Sequence, residues 1–407
     1  MAFSKIVAIP VLFILALAFT GGQVAAIDVF VDTFDDVNTG SCLDSECSLR
    51  EAILYTNGLA GSDTIELPPG TYTLSLMGTG DDLGYVGDLD ITDDVSIHGP
   101  YGETTIITAA GVGDRVFHIH SGPSVIFSYL EINGGQLNGI GGGILNEGQL
   151  SIWGCVIRDN RSYDSSGGNR GGGIFTTTGG ILWLHESTVT GNWSGATGGG
   201  LYIEAGASTT IYQSTFSFNY GETGGGAAIA GFAGIENSTF SGNLSGHSGG
   251  GLYVSDTAEL DSVTFSGNIA GVSGSAISSS GSIELTRSLI DGDCTGTGIV
   301  SHGFNLESPG NSCGLVATGD LPNQADAMLK PLAGYGGPTP THALRENSPA
   351  IDTGFGCLTT DQRGFYRPNL IGCDAGAFEF GADPLGQWIF ADGFESGDME
   401  AWSTHSP

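Results

Sequence analysis

The sequence predicts an all-β fold, a right-handed parallel β-helix with a helical cap at its N-terminal end. Three observations carry that prediction: a repeat of about 25 residues, two-residue rather than helical periodicity within it, and recurrent glycine triplets. Anchored on Asn133, Asn160, Asn192, Asn219, Asn243, Asn268 and Asp293, the repeat shows an apolar residue eight positions earlier, at Val125, Ile152, Leu184, Ile211, Ile235, Leu260 and Leu285. A second apolar column stands three positions before the anchor, from Leu130 and Ile157 to Phe265 and Ile290. A column of small residues lies between them, including Cys155, Ser187, Ser214 and Ser238. Alternation, a bend and alternation again describe two short strands per coil with apolar side chains inward. A third strand follows the triplets that begin at Gly141, Gly171, Gly198, Gly224 and Gly249, where glycine supplies the positive φ of a sharp corner.

The elements then fall in chain order. Residues 1–26, with Lys5, an apolar run from Ile6 to Phe19 and the small ending Val24-Ala25-Ala26, are expected to be a secretory signal peptide. Residues 27–115 are expected to form the N-terminal cap and first coils. A solenoid leaves an open apolar end that must be covered. Ser48-Leu-Arg-Glu51 is a capping box that opens a helix with an apolar face of Leu49, Ala52 and Ile53. Residues 116–300 hold the repeats, 301–380 a C-terminal domain that closes the helix, and 381–407 an acidic tail. Seven cysteines in an exported chain suggest disulfides between sequence neighbours: Cys42 with Cys47, Cys294 with Cys313, and Cys357 with Cys373. Cys155 reads as a buried thiol. The asparagine column reads as a structural ladder of stacked amides.

Several of these stretches resemble a known group, the bacterial CSLREA-domain proteins with parallel β-helix repeats and a choice-of-anchor Q domain. The stretch Cys47-Ser-Leu-Arg-Glu-Ala52 is similar to the motif that names the group, and Gly87-Asp-Leu-Asp-Ile-Thr92 to its coils. Gly337-Pro-Thr-Pro-Thr-His342, Asp361-Gln-Arg-Gly364 and Cys373-Asp-Ala-Gly-Ala-Phe-Glu379 are similar to its C-terminal domain. The resemblance implies export, a pectin-lyase-like fold and surface display, with no activity common to the group.

A formal charge of −33 with two lysines, Lys5 and Lys330, excludes nucleic acid as a partner and makes polyuronates dependent on bridging cations. The expected function is therefore a secreted or cell-surface, outer-membrane protein of non-catalytic, adhesin-like character. It would be a monomer without a membrane span after signal cleavage, binding a glycan or surface protein. A carbohydrate-active lyase or hydrolase is the alternative, and enzymatic activity is not expected. Outward pairs Thr188/Thr190, Thr215/Ser217, Thr239/Ser241 and Thr264/Ser266 raise ice binding as a remote third reading. The candidate binding residues are Trp153, Trp183, His185 and Tyr212, with Arg161, Trp193, Tyr220 and Tyr163 past the anchor positions. No catalytic residue or metal site is expected, and no cofactor other than Ca²⁺ as a weak alternative. The Asp88, Asp90, Asp93 and Asp94 cluster lacks a Ca²⁺-loop pattern, and His118 and His120 lack a further ligand at zinc spacing.

Overall fold

A computed structural model describes residues 26–382, apart from 40, 41, 43–45, 164–167 and 370. Residues 1–25 of the expected signal peptide, the expected acidic tail from 383 onward and residues 164–167 of the loop after Asn160 lie outside the described residues. Among the described residues, strands stack in register into four parallel sheets of 11, 10, 9 and 6 strands. One coil shows the path: Ile144–Asn146 in the nine-stranded sheet III, Gln149–Trp153 in the 11-stranded sheet I, Val156–Arg158 in the ten-stranded sheet II, then Arg161–Ser162 in the six-stranded sheet IV. Ten inter-strand steps of about 4.8 Å make sheet I roughly 48 Å long. The chain is thus a parallel β-helix. No helix among the described residues is long and apolar enough to cross a membrane.

The core is built from the columns that the repeat exposes. Ile152, Leu184, Ile211 and Ile235 follow one another inside sheet I, and Ile157, Val189, Phe216, Phe240 and Phe265 inside sheet II. The Phe216, Phe240 and Phe265 rings stack at 4.9 and 5.1 Å. At the corner into sheet III, the leading glycines Gly141, Gly171, Gly198, Gly224 and Gly249 have φ between 62 and 70°. A Cβ on the following Gly172 would lie 2.4 Å from the carbonyl oxygen of Trp193, so this corner excludes side chains for steric as well as conformational reasons.

The corner after sheet II holds the asparagine ladder. Each amide of Asn160, Asn192, Asn219 and Asn243 donates to the Oδ1 of the next asparagine at 2.9–3.1 Å, while that Oδ1 also accepts the backbone N–H of the donor residue. The second amide hydrogen goes to a carbonyl of the preceding coil, as in Asn219 to Val189 at 2.9 Å. Asn133 does not belong to it. Sheet II pairs Asn133 with Arg158, so Gly135 takes the ladder position, and Asn133 bonds Glu131 instead. The two-residue offset is invisible to an alternating pattern, because it leaves every side chain on its own face. The sequons at Asn160, Asn192, Asn237 and Asn243 are buried and closed to glycosylation. Beside the asparagines, the small column forms a hydroxyl ladder in which Ser187, Ser214 and Ser238 each accept the backbone N–H of the preceding coil. Cys155 accepts from Leu130 in the same manner, and burial pushes its thiol up to about 12.

The helix Leu49–Thr56 carries the predicted capping box and buries Leu49, Ala52 and Ile53 over the first coils. Arg50 is buried with them, pairing with Asp36 at 2.7 Å and donating to the carbonyls of Gly84, Gly87 and Asp88. All three expected disulfides form.

The C-terminal region does more than close the end. Residues 333–380 fold back as an arm along the outer surface of sheet II. Gln362, fully buried, donates to Thr215 Oγ1 at 2.8 Å and accepts from Thr239 Oγ1 at 2.6 Å. Ser241 meets His342 at 2.9 Å, and Thr264 accepts the Ala377 N–H at 2.8 Å. Asp361 and Arg363 staple the arm, the guanidinium lying 2.7 Å from the carboxylate and 3.7 Å from the Phe378 ring centroid. Three of the four threonine pairs offered for ice binding, from Thr215 to Ser266, are therefore buried under the arm, and that reading falls.

Removing a ladder amide orphans partners on both adjacent coils. Asn219→Ala is expected to lower unfolding stability by about 3 kcal/mol, whereas Asn133→Ala should change it by less than ~0.5 kcal/mol. Denaturant midpoints of the two variants measure this, and equal losses would show that the ladder has no special weight.

Candidate functional site

The last outward position of sheet I carries Trp153, His185 and Tyr212 on successive strands, in direct register. Trp153 is 44% exposed and stacks on His185 at 4.2 Å with ring planes 5° apart. His185 and Tyr212 follow at 6.0 Å. Trp183, half-buried, lies on the same outward face, beside Ser151 and Thr210. Tyr212 ends the row beneath the arm, its hydroxyl 3.3 Å from Thr360 Oγ1.

The other candidate residues occupy a different face. Arg161, Trp193 and Tyr220 are register partners in sheet IV, with the Trp193 and Tyr220 rings stacked at 5.8 Å. The exposed Tyr163 follows that sheet. Sheet II and the asparagine corner separate them from Trp153, so the eight residues form two surfaces rather than one. The reason is the fourth strand, which turns the chain onto a new face immediately after each anchor.

Beyond the aromatic row the chain turns into sheet II through a corner of left-handed residues, Tyr129, Gly154, Glu186, Gln213 and Asn237, with φ of 45–59°. Sterics make this conformation uncommon for side chains other than glycine. The arm docks on part of the corner: Gln213 donates to the Asp361 carbonyl at 2.7 Å and Asn237 to the Thr360 carbonyl at 2.9 Å. Toward the N-terminal end the arm stops short, leaving a cleft of about 680 Å³. One wall carries Tyr101, Glu103, Tyr129, Glu131 and Glu186; the other carries Gly336–Pro338 and Arg363–Phe365. Tyr101 and Tyr129, both exposed, meet edge to face at 5.1 Å. A Cβ on Gly154 would sit 2.8 Å from the Tyr129 ring, so the glycine that follows Trp153 in the chain leaves room for the tyrosine.

The charged groups of the cleft are mostly engaged. Arg158 pairs with Glu131 and Asp159, both at 2.5 Å, and Arg363 with Asp361. Arg287, solitary in sequence, pairs with Asp261. The cleft thus offers carboxylates and rings, with its guanidinium Arg363 already neutralised, an arrangement ill suited to a polyanion. The four aspartates near residue 90 also separate. Asp94 accepts the Ser124 N–H at 2.7 Å and Asp93 accepts from Asp94, while Asp88 pairs with Arg115 at 3.0 Å and Asp90 meets His118 and His120. Burial, then repulsion by Asp114 and Asp90 against the pull of Arg115, leaves the Asp88 carboxyl raised to about 7.

The cleft carboxylates have no signature in the sequence as a site, because the arm that completes the cleft arrives some 200 residues later in the chain. The Asp90 contact was findable: a residue one coil before a histidine is its register partner, as Asp90 is for His118.

No protein-family model and no curated protein matches the chain in sequence. Among solved structures, pectate lyase Pel9A is similar over 88% of this chain and 97% of its own, with 12% identity and a TM-score of 0.48. An iota-carrageenase complexed to iota-carrageenan fragments matches over 63% of this chain and 57% of its own, at 14% identity and a TM-score of 0.34. A 1,3-alpha-1,4-beta-D-galactose-4-sulfate-3,6-anhydro-D-galactose-2-sulfate 4 galactohydrolase matches over 63% and 61%, at 15% identity and a TM-score of 0.33.

Burial of His185 between its aromatic neighbours holds its pKa down at about 4, against 6.5 for a free histidine. The unfolded chain binds a proton in that window and the folded chain does not. Stability from this residue is therefore complete above pH 6.5 and is lost as pH falls toward 4, by ~1–2 kcal/mol once partial solvent access is allowed for. Melting temperatures of the wild type and His185→Gln between pH 7 and 4.5 check the sign: the wild type should lose more over that interval.

Proposed function

We propose that this chain is an extracellular carbohydrate-active β-helix protein that engages a neutral or weakly charged polysaccharide along sheet I and into the cleft beside it. The observation that carries the reading is continuity. Trp153 precedes Gly154 in the chain, Gly154 supports Tyr129, and Tyr129 lines the cleft with Tyr101. Rings in such a row present apolar faces that match sugar rings at small entropic cost. The acidic surface disfavours polyanionic ligands, and so does a cleft whose guanidinium is already paired.

Hydrolysis is the second reading, and one observation favours it over simple attachment. Glu103, Glu131 and Glu186 converge on one cleft, and a pair of carboxylates across a glycosidic bond is the usual apparatus of glycoside hydrolysis.

Affinity electrophoresis through gels of xylan, galactan and mixed-linkage glucan, with reducing-end release measured on the same samples, tests both readings. Trp153→Ala should weaken retention about 30-fold, the scale of a binding hot spot, while Trp193→Ala on sheet IV should leave it unchanged. Glu186→Gln should abolish reducing-end release but not retention if the cleft hydrolyses. Absence of retention on every neutral glycan, or equal losses in the two tryptophan variants, would overturn the proposal.

A further inference from the structure

The outward middle column of sheet III is buried along most of its length, and its composition changes abruptly. Leu145, Phe175, Tyr202 and Ala228 form a small apolar cluster there, yet the two preceding strands carry Asp90 and His118 in the same column. Asp90 is 1% exposed and His118 7%. A buried carboxylate beside a buried imidazole is costly unless something satisfies both.

His120 stands two residues beyond His118, on the same side of the chain, and brings a third donor. Asp90 Oδ1 lies 3.1 Å from His118 Nδ1 and 2.8 Å from His120 Nε2, and the three donor atoms all fall within 4.8 Å of one another. Independently, Asp90 Oδ2 and both ring nitrogens of His118 are buried without a hydrogen-bond partner. The 3.1 Å approach between His118 and Asp90 is thus a contact of two groups aimed at a common point, not an aligned hydrogen bond. A tetrahedral ion with ligand distances near 2.05 Å holds its ligand atoms roughly 3.3 Å apart, so the cluster needs only small adjustments to receive one.

The backbone around the cluster is fixed from the cap inward. Asn57, at the end of the capping helix, donates to the Asp90 carbonyl at 2.7 Å, and the His120 N–H donates to Ile91 at 3.0 Å. Glu147 Oε1, 3.6 Å from His118 Nε2, stands where an outer carboxylate orients a metal-bound imidazole. Arg115, the nearby cation, is engaged by Asp88.

We propose that Asp90, His118 and His120 form a three-ligand site for a divalent transition-metal ion of the zinc type, joining two successive coils beneath the helical cap. His118 binds through Nδ1 and His120 through Nε2. The part-exposed His120 leaves the fourth position open to solvent. Two imidazoles select against Ca²⁺ and Mg²⁺, which require shells of oxygen. The assignment goes beyond the carbohydrate reading and does not depend on it.

Calorimetric titration of the chelator-stripped mature chain with Zn²⁺, paired with Co²⁺ titration read by visible absorption, tests the site. One equivalent of Zn²⁺ should bind, Co²⁺ should give tetrahedral d–d bands, and Zn²⁺ should raise the melting temperature. Asp90→Asn and His120→Asn should each weaken Zn²⁺ about 100-fold, and Glu147→Gln about 10-fold, whereas His247→Ala, remote and exposed, should have no effect. His120→Asn keeps the test decisive if the buried Asp90→Asn fails to fold, because its side chain is already part-exposed. No stoichiometric Zn²⁺ binding, affinity unchanged in His120→Asn, or displacement of Zn²⁺ by millimolar Ca²⁺ would overturn the assignment.

Discussion

Everything else in this molecule depends on one constraint: a polar group buried at a coil corner finds its partner in the equivalent residue one coil away. The Asn160 to Asn268 amides and the Ser187 to Ser238 hydroxyls meet that requirement by repetition. Repetition forces register, since a coil displaced by one residue would turn its apolar columns outward and break the amide chain at once. Register in turn gives every outward position a fixed neighbour above and below. The Trp153 and His185 stack and the Asp90 and His118 pair are both products of that rule, one coil apart in sequence and adjacent in space.

The arm formed by residues 333–380 exploits the same regularity from outside. Sheet II presents the small hydroxyl residues Thr215, Thr239, Ser241 and Thr264 at uniform spacing, and Gln362, His342 and Ala377 bond to them in turn. What the sequence offers as a flat threonine surface is therefore an internal seam. The strands of sheet II beside the cleft lack this pattern, carrying Glu131, Val156 and Arg158 instead, and there the arm ends and the cleft opens. The cleft sits beside the aromatic row because both border the left-handed corner between sheets I and II.

Much of this was legible in the sequence, for identifiable reasons. Inward columns show in a parallel coil because Ile152, Leu184 and Ile211 recur at the same offset. The cap shows because Ser48 and Glu51 signal a helix start locally, and the disulfides because their partners are sequence neighbours. What escaped notice was non-local or too short to have a period. Two-residue strands such as Arg161–Ser162 leave no alternation, so the separate face that carries Trp193 has no signature in the sequence. Asn133 passed for a ladder member because a slip of two residues preserves facing. The walls of the cleft come from the earlier coils and from the C-terminal arm, and no spacing rule joins Glu186 to Phe365.

Two short stretches, residues 47–52 and 361–363, hold the ends of the molecule to the coils. Arg50 pins the turn that leads to Asp90, and Asp361, Gln362 and Arg363 hold the arm to the coils. These residues serve the architecture, and Arg363, with Gly337 and Pro338, also lines the cleft, while the aromatic row arises from other positions. Native-state hydrogen exchange measures the controlling constraint most directly. Backbone amides at the Asn160, Asn192, Asn219 and Asn243 corners should open only with the largest free energy in the molecule, above those at Gly135 and Asp293, which lie just beyond the two ends of the amide chain. Protection that is uniform along the solenoid, or lower at the asparagine corners, would contradict the account.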